Sequence, residues 1–174
     1  GTLREWRPLA NQGDAAAQVN LGIIYRFGTC VVEDDAEAVK WYRLSAKQGF
    51  ALGQMHLGLM YDEGEGVAED DVEAVKWFRK SAEQGDAIAQ FTLGYSYYAG
   101  LGVAADDAEA VKWYRKAAEQ GDADAQRNLG WMYDNGEGVP EDHAEAVRWY
   151  RLAADQGYAS AQFNLGLMYV TGEG

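Results

Sequence analysis

"DDAEAVKWYR" occupies residues 34–43, and the same ten letters return at 106–115. Close variants stand between and after them: "DDVEAVKWFR" at 70–79 and "DHAEAVRWYR" at 142–151. A catalytic site is needed once, so a string written four times at a fixed step reads as building material. Other residues keep the same step. Gly13, Gly49, Gly85, Gly121 and Gly157 share it, as do the "LG" pairs Leu21–Gly22, Leu57–Gly58, Leu93–Gly94, Leu129–Gly130 and Leu165–Gly166. Tyr25, Tyr61, Tyr97, Tyr133 and Tyr169 follow those pairs.

Each unit holds two helical patterns, an A helix ("AAAQVNLGIIYRF", 15–27) and a B helix ("DAEAVKWYRLSAKQ", 35–48). Asp34, Asp70, Asp106 and Asp142 stand at the N-cap of each B helix. Glu37, Glu73, Glu109 and Glu145 follow three residues later, the spacing of a capping box. Acid opens the B helix and Lys40, Arg43 and Lys47 close it, which suits the helix dipole. Each B helix stops at "QG", where glycine takes a left-handed cap. The next A helix begins at once, so B and A form a tight hairpin. The return loop, "GEGVAED" or "GLGVAAD", is longer and rich in glycine.

The pattern "LGxxY…GxGVxxDxxEAVKWYRxAAxQG" resembles the Sel1-like repeat family, relatives of the tetratricopeptide repeats, over nearly the whole chain. The resemblance implies an all-α fold: a right-handed α/α superhelix, or solenoid, of 36-residue helix–turn–helix repeats. A single array is expected over 1–174. It would comprise a partial unit 1–13, repeats at about 14–49, 50–85, 86–121 and 122–157, and a partial unit 158–174. Both ends fall inside a repeat, so the chain is expected to be excised from a longer array, with Gly1 and Thr2 as vector residues. Three features depart from the pattern. Cys30 replaces the second loop glycine of the first unit, Pro8 is expected to interrupt the first B-type helix, and Trp6 falls in the register of Tyr42. Some bacterial members carry a cysteine pair in each repeat. This chain has Cys30 alone, so nothing from that subgroup carries over.

Composition narrows the partners. Hydrophobic residues make up 48% of the chain, enough for a packed core. The 28 acidic residues outnumber 15 basic ones, for a net charge of −13. Such a field repels phosphate, which argues against nucleic acid and anionic membranes and favours a protein or peptide with basic patches. No apolar run approaches the roughly 18 residues that a membrane helix needs, so membrane insertion is not expected. One cysteine excludes an internal disulfide and leaves the compartment open, with a soluble periplasmic or secreted bacterial protein among the options.

The repeats also supply an internal comparison. On a helical wheel of about 100° per residue, Ala15, Gln18, Leu21, Gly22 and Tyr25 cluster, and each recurs in all five A helices. Glycine inside a helix costs about 1 kcal/mol relative to alanine, so its recurrence implies close helix approach. The row Trp41, Trp77, Trp113 and Trp149 is expected in the same core, with a ligand cage as the other reading. Positions on the opposite face vary. Residue 19 and its equivalents read Val, Met, Phe, Arg, Phe, and residue 23 reads Ile, Leu, Tyr, Trp, Leu. The tetratricopeptide resemblance implies that this variable face lines a concave groove. Met55, His56, Phe91, Thr92, Tyr95, Tyr98, Arg127, Asn128 and Trp131 are then the candidate partner-binding residues. Packing between A helices remains open for each, while the set has the composition of a binding hot spot.

Candidate chemistry is sparse. His56 and His143 are the only histidines, and neither has a Cys or His at metal-ligand spacing. His143 stands where Asp35, Asp71 and Asp107 stand in other units, a solvated first-turn position. "DEGEG" and "DNGEG" invite a calcium reading but lack the alternating ligands and distal Glu of an EF-hand loop. No nucleophile elbow or phosphate-cradling loop appears. No catalytic residue, metal or cofactor is therefore expected. The acidic loops Asp62–Asp71 and Asp134–Asp142 are expected to stack along one negative edge, serving solubility and capping or recognition of a basic partner. The leading expectation is a non-enzymatic adaptor or scaffold that holds a protein or peptide in its concave groove. The alternatives are an enzyme of the type labelled β-lactamase among bacterial relatives, for which no "SxxK" motif is present, and a purely structural spacer.

Overall fold

A computed structural model describes residues 3–172. Gly1 and Thr2, expected to be vector residues, lie outside it, as do the last two residues of the final partial unit. Ten α-helices and no strand occupy the described residues. They are α1 (Leu3–Asn11), α2 (Ala15–Arg26), α3 (Asp35–Lys47), α4 (Ala51–Glu63), α5 (Asp71–Glu83), α6 (Ala87–Ala99), α7 (Asp107–Glu119), α8 (Ala123–Asn135), α9 (His143–Asp155) and α10 (Ala159–Thr171). Even numbers are A helices and odd numbers B helices, each pair one 36-residue step after the last, as in a solenoid. The helices gather into two compact units, one ending at Ala89 and one beginning at Gln90. In the first, α2 packs on α1, α3 and α4, and α4 packs on α3 and α5. In the second, α8 packs on α7 and α9, and α9 packs on α10.

Pro8 does not interrupt α1. It sits inside the helix on an exposed face, and its carbonyl still accepts from the Gln12 N–H at 3.2 Å. A proline ring pointing to solvent removes one backbone donor and displaces no packing.

Four of the five "LG" glycines are where an aromatic ring lands. A Cβ added at Gly94 would sit 2.8 Å from the Tyr114 ring, at Gly130 2.8 Å from Tyr150, and at Gly58 2.5 Å from Phe78. Gly22 meets Tyr42 in the same way. These four rings are among the largest fully buried side chains. The expected centre of the core therefore moves by one residue. Trp113 and Trp149 are buried, but Trp41 and Trp77 only partly so. Consecutive helix residues point about 100° apart, so only one of two adjacent aromatics can face the A helix squarely. The tryptophans sit at the flank, under cations: Lys80 is 4.2 Å from the Trp77 ring centroid and Lys116 is 4.0 Å from that of Trp113.

The capping box is half formed. Asp34, Asp70, Asp106 and Asp142 each accept from the backbone N–H of the glutamate three residues on, at 2.9–3.0 Å. The glutamates do not reach back. The N-cap N–H groups of Asp34, Asp70, Asp106 and Asp142 instead donate to the carbonyls of Tyr25, Tyr61, Tyr97 and Tyr133, all at 2.9 Å. Each B helix is thereby tied to the end of the A helix before it. The freed glutamates pair with the next turn: Glu37 with Lys40, Glu73 with Lys76, Glu109 with Lys112 and Glu145 with Arg148.

Two further ladders explain the recurring glutamine and tyrosine. Gln48 donates to Gln18 at 2.8 Å, and Gln18 donates to the Ala10 carbonyl at 3.2 Å. Gln156, Gln126 and the Ala118 carbonyl repeat that relay in the second unit. A buried amide satisfied on both sides carries little desolvation penalty. Arg43 donates to the Tyr61 hydroxyl at 3.2 Å, and Arg115 pairs with Tyr133 in the same way.

The loops carry their own constraint. Gly66 has φ of 66°, and a Cβ there would collide with the Asp35 carbonyl. Cys30 occupies the matching loop position with the same φ, and its side chain is exposed. A non-glycine residue in that region costs about 1–2 kcal/mol. The acid of these loops is partly neutralised within each unit. Arg26 bridges Glu63 and Glu65. His143, expected to be merely solvated, lies 3.1 Å from Asp134 and 3.4 Å from Glu141. At the equivalent place in the first unit, burial and the like charges of Asp71 and Glu69 raise the Asp62 pKa.

Gly94→Ala should lower stability by about 1–3 kcal/mol through crowding of Tyr114. Gly166→Ala should raise it by about 0.5–1 kcal/mol through helix propensity alone, since nothing lies within 4 Å of that Cβ. Thermal unfolding of the two variants reads the difference, and shifts of the same sign would refute the ring-on-glycine account. Denaturant titration checks the half-box separately. Asp106→Ala should cost about 1 kcal/mol, whereas Glu109→Gln should cost only a few tenths because it loses just an exposed pair with Lys112.

Candidate functional site

The second unit contains a pocket of about 200 Å3 between α6 and α8, with α7 beneath. Its floor is Tyr114, 1% exposed, whose ring fits Gly94. Tyr95, Tyr98, Arg127, Asn128 and Trp131 form the walls, with Met132 at the base. Phe91 reaches Tyr114 from one side, with ring centroids 5.7 Å apart. Tyr98 meets Trp131 edge-to-face at 5.9 Å and 84°. Tyr95 is 47% exposed and Tyr98 39%. Burial pushes the Tyr114 phenol well above its ordinary pKa; the Asn128 side chain acts on it in the opposite direction. The phenol is therefore a neutral part of the floor. Arg127 and Asn128 supply hydrogen-bond donors at the wall.

A family model for the Sel1 repeat matches residues 15–50, 51–86, 87–122, 123–158 and 159–174. The chain belongs to the Sel1 repeat family. It is similar to the crystal structure of c5321, "a protective antigen present in uropathogenic Escherichia coli strains displaying an SLR fold", with 43% identity and a TM-score of 0.94 over 96% of this chain and 36% of that one. A Sel1 repeat protein from Oxalobacter formigenes is 42% identical, with a TM-score of 0.87 over 92% of this chain and 64% of that one. The chain thus spans less than two thirds of the length of either. Helicobacter pylori cysteine rich protein B aligns at 26% identity and a TM-score of 0.55, covering 72% of this chain and 96% of that one. No curated protein sequence matches the chain. Sel1 repeat proteins generally mediate protein–protein interaction, and their fold is typically non-catalytic. Among the described residues no helix is long and apolar enough to cross a membrane.

The nine candidate residues do not stay together. Tyr95, Tyr98, Arg127, Asn128 and Trp131 line the one pocket, with Phe91 against its floor. Thr92 is half-buried on α6, where its carbonyl accepts from the Ser96 hydroxyl at 3.0 Å. Met55 and His56 belong to the first unit and leave the exposed set. Met55 is 4% exposed, and the half-buried His56 ring lies flat on Tyr42 at 4.9 Å and 11°. The wheel alone could not separate these cases, because residues 19, 55, 91 and 127 share one angle while neighbours decide what covers them. Tyr114 and Met132 were missed because they belong to recurring core rows.

Counting back two repeats shows why one Sel1 slot is open and the other filled. Ile23, Arg26, Tyr42, Met55, His56 and Leu59 stand where Tyr95, Tyr98, Tyr114, Arg127, Asn128 and Trp131 stand. In the first unit the His56 imidazole covers the Tyr42 ring and Arg26 turns to Glu63 and Glu65. In the second, the shorter Asn128 replaces the imidazole and the Tyr114 ring lines the pocket.

Burial lowers the His56 pKa below its ordinary 6.5; Arg26 adds to the effect and Asp86 opposes it. Its Nδ1 is buried without a hydrogen-bond partner. The unfolded chain therefore takes up the proton first as pH falls. The stability His56 contributes is complete above about pH 6.5 and is lost as pH drops from there towards the lower folded pKa. Asp62 and Glu63, whose pKa values are raised mainly by burial, act with the opposite sign and are common to parent and variant. Urea unfolding should thus show a steeper loss between about pH 7 and 5 for the parent than for His56→Asn, and matching pH slopes would remove the buried-imidazole account.

Proposed function

We propose that this chain is a non-enzymatic adaptor that binds a protein or peptide through the repeat-variable face of its A helices, which the solenoid resemblance makes concave. The reading centres on Tyr95, Tyr98, Arg127, Asn128 and Trp131. The observation that carries it is the pocket these residues form on the otherwise recurrent Sel1 frame. A packing row would bury its aromatics, yet Tyr95 and Tyr98 remain exposed beside Trp131. Rigid aromatics and an arginine around a partly desolvated hollow are the composition of interface hot spots. The net charge of −13 favours a partner that is basic outside the contact, where it would speed association at low salt. His56 and Met55 serve the frame of the first unit in this reading.

A photo-crosslinking amino acid at Tyr95 should capture the native partner, while the same group at exposed Leu44 on α3 should not. Alanine at Tyr95 or Arg127 should then weaken the captured partner by about 1–3 kcal/mol with an unchanged melting temperature. Unchanged affinity, or unfolding of both variants, would show the variable stripe to be packing alone.

A further inference from the structure

Arg127 stands out by what surrounds it. Its repeat position is apolar in the other A helices: Val19, Met55, Phe91 and Phe163. Val19 and Met55 are buried there, and Arg127 is half-buried. Other cations have partners close by: Arg26 has Glu63 and Glu65, Lys40 has Glu37, Lys112 has Glu109 and Arg148 has Glu145. Arg127 makes no hydrogen bond or ion pair among the described residues. The carboxylate one turn earlier on its own helix, Asp124, is taken by the Tyr158 hydroxyl. A half-buried guanidinium without a counter-ion on a pocket wall leaves its N–H donors open to an incoming anion.

We propose, resting on the adaptor reading, that the pocket takes a carboxylate carried on an apolar segment of the partner, with Arg127 as its counter-ion. Arg127 presents paired N–H donors that match the two oxygens of a carboxylate, and Asn128 adds an amide donor beside it. Tyr95, Tyr98 and Trp131 bury the neighbouring apolar side chain and exclude water, which strengthens the ion pair. A single guanidinium within a chain of net charge −13 suits a monoanion, and a phosphate dianion is disfavoured by the same field. The partner is then locally acidic where it enters the pocket and basic around it. The carboxylate belongs to an Asp or Glu side chain or to a chain terminus.

Three capped dipeptides separate these sources: acetyl-Phe-Phe with a free carboxylate, the same peptide as its amide, and acetyl-Phe-Glu amide. Binding to the whole chain is read from the NMR signals of the Trp131 indole N–H and the Arg127 Nε–H. The two carboxylate peptides should shift both signals and bind about tenfold more tightly than the neutral amide. The tighter of the two identifies terminus or side chain. Arg127→Gln should reduce both carboxylate peptides to the level of the amide, Arg127→Lys should restore part of the difference, and salt should shrink it. Equal binding of acid and amide at Trp131, or a preference that survives Arg127→Gln, overturns the carboxylate assignment and leaves the adaptor reading standing. Failure of all three peptides to move either signal also overturns it. The adaptor reading itself is judged separately, by the crosslink through Tyr95.

Discussion

The contact that recurs through both units is an aromatic ring laid on a helix with no side chain beneath it. Gly22, Gly58, Gly94 and Gly130 each receive the ring of Tyr42, Phe78, Tyr114 or Tyr150. Any Cβ at those glycines would overlap the ring, so the A-to-B spacing is set by van der Waals contact and admits no other residue without a shift. The other recurrent contacts depend on that distance. The Asp N-cap can reach the preceding Tyr carbonyl, the glutamines can pass hydrogen bonds across three helices, and arginines such as Arg43 and Arg115 can reach the next tyrosine hydroxyl because the helices sit this close.

A frame so fully committed leaves few positions free, and these are where the units diverge. In the first unit, His56 and Met55 close the slot above Tyr42. In the second, the equivalent slot above Tyr114 is walled by Tyr95, Tyr98, Arg127, Asn128 and Trp131 and remains a pocket. The backbone and the ring beneath belong to the same repeat pattern in both. Of the six positions compared, five differ between the units, so one recurrent frame carries a filled slot in the first and a hollow in the second.

The charge pattern follows similar economy. Acid is placed where it caps helices, and the nearest cations answer it locally, as Lys40 does for Glu37 and Arg26 does for the Glu63–Glu65 loop. His143 between Asp134 and Glu141 replaces a contact that in the first unit sets Asp62 near Asp71 and Glu69. Against this local balancing, half-buried Arg127 has no counter-ion among the described residues, and it lies in the pocket rather than on a loop.

The amino-acid sequence by itself determined the helices, their caps, their hairpins and their repeat. Each rests on local spacing: Asp three residues before Glu, glycine after Gln, "LG" in front of tyrosine. It also separated recurrent from variable positions, and so reached five of the seven residues that line the pocket. The tertiary structure decided the rest. It placed Tyr114 rather than Trp113 against the glycine, because adjacent residues diverge around a helix and only the docked partner selects one. It gave the N-cap N–H groups to tyrosine carbonyls instead of to the glutamates, because a neighbouring helix end lay nearer than the side chain could fold back. It buried Met55, laid the half-buried His56 on the Tyr42 ring and left Tyr95 in the open, although one wheel assigns them to the same face. Burial depends on what stands opposite a residue, and a repeat pattern names the position without naming its neighbour.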